Sequence, residues 1–196
     1  MSEFQMYLKL GFQHISDIQA YDHMLFIITL CAVYQLKEWR NILVLVTAFT
    51  IGHSITLALS VLNVIQVPTA LVETLIPITI LVTSIHNIKV KGTHNAVFSR
   101  MLSINYLLAL FFGFIHGMGF SNYFRALMFE SESVVLPLFA FNLGIEIGQL
   151  LIVLSFFSVY FLLSKVFNIV HREWNLFISG AGAGVSIILI IEALIE

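Results

Sequence analysis

Charge is scarce in this chain. Asp, Glu, Lys and Arg make up 10% of its 196 residues, against 59% hydrophobic residues. A water-soluble domain carries about 25% charged residues, so the natural solvent for this surface is lipid. Cysteine is almost missing: Cys31 stands alone inside an apolar run. That excludes a disulfide within the chain and a thiolate metal site. The 9 basic residues form no cluster and leave a net charge of −2, so nucleic acid is excluded as a partner. The N-terminal "MSEFQMYLKLGF" lacks a basic start followed by an apolar stretch of signal length, and no cleaved signal is expected.

What the chain has in abundance is long apolar runs, rich in its 18 Phe residues. A bilayer core of roughly 30 Å takes about 20 apolar residues as helix. Six runs approach that length: 20–36, 41–63, 69–88, 102–122, 134–163 and 175–195. The expected fold is an all-α integral membrane protein, a bundle of six transmembrane helices forming one membrane domain over residues 1–196. Residues 3–13 read as a short amphipathic helix with Phe4, Tyr7, Leu8 and Phe12 on one side, too short to span and expected at the interface. Lys37, Arg40, Lys89, Lys91, Arg100, Lys165 and Arg172 follow the odd-numbered runs, whereas only Lys9 and Arg125 lie on the opposite side. The positive-inside rule then places both termini outside the cytoplasm, in an inner membrane if the cell is Gram-negative. Gly180 with Gly184, and Gly113 with Gly117, are each four apart and read as close-packing faces between helices. Pro77 falls in mid-span and should kink its helix and free a carbonyl.

Against this apolar background, the ionisable residues inside the runs stand out: Asp22 and His23, His53, Glu73, His116 and Glu146. A charge at the bilayer centre costs at least about 2.5–3.5 kcal/mol on insertion scales, so each needs a partner, a cavity or a cation. Following the alternating direction of the runs, all of them fall in one slab of the outer leaflet. Helical spacing supports inward-facing stripes: Asn142, Glu146 and Gln149 form one, and Thr50, His53, Thr56 and Ser60 another. Three imidazoles with carboxylates in a dry place suit Zn²⁺, Ni²⁺, Co²⁺ or Fe²⁺, or a proton relay. Each residue also has a plainer role open to it. Asp22 can cap a helix, Glu73 can pair with His14, and Asn142 and Gln149 can join helices by hydrogen bonds. His86, His94 and His171 read as surface or loop residues near the cytoplasmic ends.

Five stretches, "GFQHISDIQAYDHMLFIITL", "FTIGHSITLAL", "VETLIPITILVTSIHN", "FGFIHGMGFSNYF" and "FNLGIEIGQLLIV", occur in that order from Gly11 to about Val153. Together they resemble the HupE/UreJ family of small polytopic membrane proteins. The resemblance implies a permease-like protein associated with nickel or cobalt supply. It implies ligand positions at His14, Asp22, His23, His53, Glu73 and His116, with the N-x-x-x-E-x-x-Q motif on Asn142, Glu146 and Gln149. The first motif departs from the hydrogenase-type H-P-x-x-G-x-D-H: Ile15 follows His14 and Ala20 stands where glycine is usual, which marks a divergent branch.

Three functions are compatible with these letters. In the first, a divalent transition metal (Ni, Co or Zn) binds from outside through Asp22, His23, His53, His116 and Glu146, with Glu73 and His14 nearby and Thr50, Asn142 and Gln149 behind them. It then moves inward past Thr83, His86 and Asn87, exchanging ligands stepwise. In the second, the same site holds Zn²⁺ as an intramembrane hydrolase of a lipid-like substrate, with Glu146 or Asp22 as general base. In the third, the protein only holds metal or assembles with others, homo-oligomers included. Transport without catalysis is the leading expectation, with the bilayer and the metal ion as partners.

Overall fold

The computed structural model describes residues 2–18, 21–90, 95–127 and 134–195, the side chains of 95–103 and 122 apart. His94, Lys91, Ala20 and the Arg100 side chain, all named above, lie outside the described residues. The chain folds into helices α1 (Glu3–Ile15), α2 (Asp22–Cys31), α3 (Trp39–Val61), α4 (Thr69–Lys89), α5 (Asn95–Gly119), α6 (Ser121–Leu127), α7 (Val135–Phe167) and α8 (His171–Ile195), with one 3₁₀ turn at Leu36–Glu38 and no strand among the described residues.

Local chemistry sets several boundaries. Ser2 and Gln5 form a reciprocal capping box at the start of α1. Pro68, extended at ψ 133°, precedes α4. α7 stops at Asn168, whose left-handed φ of 53° suits the residue that closes a helix. At 33 residues α7 is about 50 Å long, well beyond the thickness of a bilayer core.

Among the described residues, four helical segments are long and apolar enough to cross a membrane: Leu36–Val61, Thr69–Lys89, Val135–Phe167 and His171–Ile195. The first expected run, 20–36, differs most from its expectation. It is helical only over ten residues, about 15 Å, and Ala32, Val33 and Tyr34 continue as buried non-helical chain. Non-helical backbone at membrane depth needs polar partners. They are present: Asn87 Nδ2 donates to Thr29 O at 2.6 Å, Tyr34 N to Cys31 O at 3.0 Å, and His171 Nε2 lies 3.2 Å from Val33 O. His171 is therefore half-buried against the end of α2 rather than a surface residue. The expected run 102–122 is interrupted after Gly119, where the chain turns into α6; the described apolar part, Ile104–Gly119, is also short. α4 is assigned as one continuous helix through Pro77, which has no N–H to offer the Glu73 carbonyl one turn back.

The tightest contacts join the helices in pairs: α3 with α5, α1 with α7, and α4 with α8. The first two pairs have glycine where backbones touch. Gly52 faces the Leu110 carbonyl, while Gly113 and Gly117 face the carbonyls of Phe49 and His53. Gly11 faces the Phe141 carbonyl and Gly144 that of Leu8, so the amphipathic N-terminal helix is docked along α7 with Tyr7, Gly11 and Ile15 buried. On α8 the sequence expectation fails. A side chain at Gly180 or Gly184 would meet nothing within 4 Å, and the glycine at the α4 and α2 contact is Gly182. The buried face of α8 carries Trp174, Asn175, Ser179, Gly182 and Ser186, which turns Gly180 and Gly184 outward. Gly113→Leu or Gly117→Leu should therefore lower the thermal midpoint of the purified protein, by an overpacking cost of about 1–3 kcal/mol or more. Gly180→Leu and Gly184→Leu should leave it unchanged.

Candidate functional site

His14 lies in the last turn of α1, Asp22 and His23 in the first turn of α2, His53 on α3 and His116 in the last turn of α5. The helix pairs bring these ends together. The His14 and His23 ring centroids are 4.6 Å apart, His23 and His116 3.9 Å, and His14 and His53 6.1 Å. One atom from each of Asp22, His23 and His116 can be chosen so that all lie within 4.8 Å of one another. Asp22 is at the first position of α2, where the positive end of the helix dipole favours a carboxylate.

Hydrogen bonds fix how two of the rings are presented. Asp22 Oδ1 accepts from the His23 backbone N–H at 2.8 Å and lies 2.8 Å from His23 Nδ1. A neutral His23 that donates from Nδ1 leaves Nε2 with a free lone pair. Asn142 donates its Nδ2–H to Leu138 O at 2.8 Å, which turns its Oδ1 to His53 Nδ1 at 3.2 Å. A carbonyl oxygen can only accept, so His53 carries its proton on Nδ1 and its Nε2 is bare. The second carboxylate oxygen, Asp22 Oδ2, is 3.4 Å from His116 Nε2.

What remains is an excess of nitrogen. His14 Nε2, His23 Nε2, His53 Nε2 and His116 Nδ1 are buried without a hydrogen-bond partner, and His116 Nε2 has only the 3.4 Å approach of Asp22 Oδ2. Buried polar atoms are nearly always paired, and an unmet one costs about 1–3 kcal/mol. Four on four neighbouring rings are out of line with ordinary packing. Beside them is a pocket of about 160 Å³ lined by His14, Asp22, His23, Glu73, His116 and Phe120 among others. His14 and Phe120 also line a larger open recess of about 740 Å³ with Gln13, Asp17 and Tyr123. The two rings thus stand between the recess and the inner pocket.

Aromatic side chains form the walls. Phe112 stacks on Phe26 at 3.5 Å and on His116 at 4.3 Å. Phe120 lies 4.0 Å from His14 and stacks on Phe141 at 5.0 Å. Sequence reading passed over these phenylalanines, because in a chain with 18 of them nothing in the letters separates a wall of the site from a lipid-facing ring.

The other expected site residues are distributed differently. Glu146 Oε1 accepts from Thr47 Oγ1 at 2.8 Å, away from the imidazole group. Thr50 Oγ1 donates to Gln149 Oε1 at 3.0 Å, a bond between α3 and α7 that supports the plainer role for Gln149. Glu73 is exposed at the rim of the inner pocket. Thr83 Oγ1 donates to Thr79 O at 2.9 Å, Asn87 holds the end of α2, and His86 is half-buried with an unpartnered Nε2.

A family model described as HupE / UreJ protein matches residues 1–193. The chain belongs to the HupE/UreJ family. Membership covers essentially the whole chain and carries a permease-like role in nickel or cobalt handling. No curated protein and no solved structure matches the chain. For this HupE/UreJ protein, Phe112→Ala should cost about 3–5 kcal/mol in reversible unfolding from mixed micelles, because it empties a site buried between Phe26 and His116. Phe139→Ala, at a ring that is 62% exposed, should cost far less.

Proposed function

We propose that this protein binds a divalent transition metal, Ni²⁺, Co²⁺ or Zn²⁺, among His14, His23, His53, His116 and Asp22, and passes it across the inner membrane. The observation that carries the reading is the set of unpartnered imidazole nitrogens beside one carboxylate. Neutral imidazole with carboxylate is a borderline donor set that suits these ions and excludes a preference for soft, thiolate-loving Cu⁺. Asp22 supplies the negative charge that a divalent ion needs on leaving water, and it orients His23 as second-sphere carboxylates commonly do. Asn142 plays the same orienting part for His53.

In this reading the wide recess beside Gln13 and Asp17 is the outer mouth, and His14 and Phe120 mark the step inward. Lys37, Arg40, Lys89, Lys165 and Arg172 sit at the opposite ends of their helices, which supports a cytoplasmic position for those ends and an external position for both termini. Thr83, His86 and Asn87 on α4 follow the inward direction.

The intramembrane hydrolase reading has less support. It assigned Glu146 or Asp22 as general base, but Glu146 is engaged with Thr47 and Asp22 with His23. A base must reach the water it activates.

Elemental analysis of the purified full-length protein after loading and desalting tests the proposal. One equivalent of nickel or cobalt is expected for the wild type. Asp22→Ala, His23→Ala and His116→Ala should each lose most of it, by about 10-fold or more in affinity. Glu146→Gln and Glu73→Gln should retain it, because neither carboxylate is in the imidazole group. A metal-free wild type, or full retention in His116→Ala, contradicts the reading.

A further inference from the structure

Cations are rare at the end of the bundle where the imidazoles lie: Lys9 and Arg125 are the basic residues on that side. Arg125 sits on α6 and lines a pocket of about 420 Å³ with Ile65, Gln66, Val67, Pro68 and Ser121. The pocket lies between α6 and the 62–68 connection that joins two membrane-crossing helices, α3 and α4. Its size is within the range of about 300–1,000 Å³ usual for small-molecule sites. No imidazole lines it, so it is separate from the metal-ligand group.

The charge of Arg125 is not met within the chain. Its Nη2 donates to Ser60 O at 2.6 Å, near the end of α3. Its Nε is buried without a hydrogen-bond partner. No acidic side chain lines the pocket, and Arg125 forms no ion pair among the described residues. A guanidinium has five N–H donors, and one neutral carbonyl neither uses nor neutralises them. A half-buried cation without an anion beside it is costly, and an oxyanion would relieve that cost with charge-assisted bonds.

The start of α4 adds to the same demand. Pro68 lines the pocket and immediately precedes α4. The helix has no capping side chain there and no acidic residue in its first turn. The first amides of a helix have no partner within it, and its dipole favours an anion at that end. A guanidinium near an uncapped helix start is a donor set for a tetrahedral oxyanion, phosphate above all, which Arg binds through paired N–H groups. The neighbourhood indicates where that phosphate comes from. Leu62, Val64 and Leu71 are 59%, 66% and 51% exposed at the ends of the two membrane-crossing helices. Exposed apolar side chains close to an arginine suit the boundary where acyl chains meet headgroups.

We propose that the pocket between α6 and the α3–α4 connection binds a phosphate group, with Arg125 as its cation. A phospholipid headgroup is the source that the surroundings favour; inorganic phosphate offers the same oxygens without the chains. The site does not depend on the transport reading.

Thermal unfolding of the full chain in maltoside micelles tests it with three probes: dioleoylphosphatidylglycerol, dioleoylglycerol (the same chains without phosphate), and sodium phosphate against sodium chloride at equal ionic strength. Saturating phosphatidylglycerol should raise the wild-type midpoint by about 3 °C or more, and dioleoylglycerol should not. A rise in inorganic phosphate over chloride, without one in the lipid, would support the phosphate site with a soluble source. Gln66→Glu puts a carboxylate into the pocket at an exposed position, so it should remove most of the rise while melting near the wild type without probe. Arg125→Gln should remove it too, each variant being compared with itself so that loss of the Ser60 bond does not count. No rise with either phosphate probe would mean that Arg125 only ties α6 to α3, and would overturn the proposal. So would an equal rise with dioleoylglycerol, or an undiminished rise in both variants.

Discussion

Four imidazole rings packed against one carboxylate in a nearly uncharged bundle is the arrangement on which the rest depends. Protonating the rings together would place like charges within about one ring diameter of one another, in surroundings that desolvate them. Left neutral, they expose lone pairs that nothing among the described residues satisfies. Only one member has a compensating charge, Asp22, and it is shared between His23 and His116. In the proposed function a cation takes up the remaining lone pairs and balances the carboxylate; contacts within the chain meet part of the demand at His23, His53 and His116.

The scaffold that holds these rings is assembled from glycine contacts. In lipid there is no hydrophobic force between helices, so close backbone approach and dispersion must bind them. Gly52, Gly113 and Gly117 bring α3 against α5 at the level of His53 and His116. Gly11 and Gly144 bring α1 against α7, and so carry His14 and Asn142 to the same place. The glycines lie within a turn or two of these side chains, so the closest packing and the imidazole group occur at one level. The shortness of α2 has a related consequence. Its first turn presents Asp22 and His23, and near its other end Thr29 O accepts from Asn87 Nδ2, so both ends of one short element are committed to polar partners.

Much of this was legible in the letters. Ionisable residues in apolar runs are costly enough to be noticed, and Asp22, His23, His53 and His116 came from the cost and the shared depth alone. His14 was indicated by family resemblance, because a histidine at the end of a short amphipathic segment carries no such penalty. Glu146 is placed differently from the stripe it shares with Asn142 and Gln149: the stripe runs over about two turns, and Glu146 meets Thr47. Hydropathy also overstated the first run. Residues 32–34 are as apolar as a helix but leave it, with the Val33 carbonyl 3.2 Å from His171 Nε2 of α8, which a one-dimensional count cannot register. The glycine spacing on α8 failed similarly: Gly180 and Gly184 fit the small-residue pattern, while Asn175, Ser179, Gly182 and Ser186, at intervals of four, three and four, mark the buried face. That polar stripe is a visible signal, and it outweighs the glycine pair because lipid cannot satisfy it.

X-ray absorption at the metal edge of the nickel- or cobalt-loaded protein tests the central claim most directly. The account predicts a shell of nitrogen and oxygen at about 2.0–2.2 Å with the multiple-scattering pattern of several imidazoles. An oxygen-only shell, or one dominated by sulfur at about 2.3 Å, would contradict it.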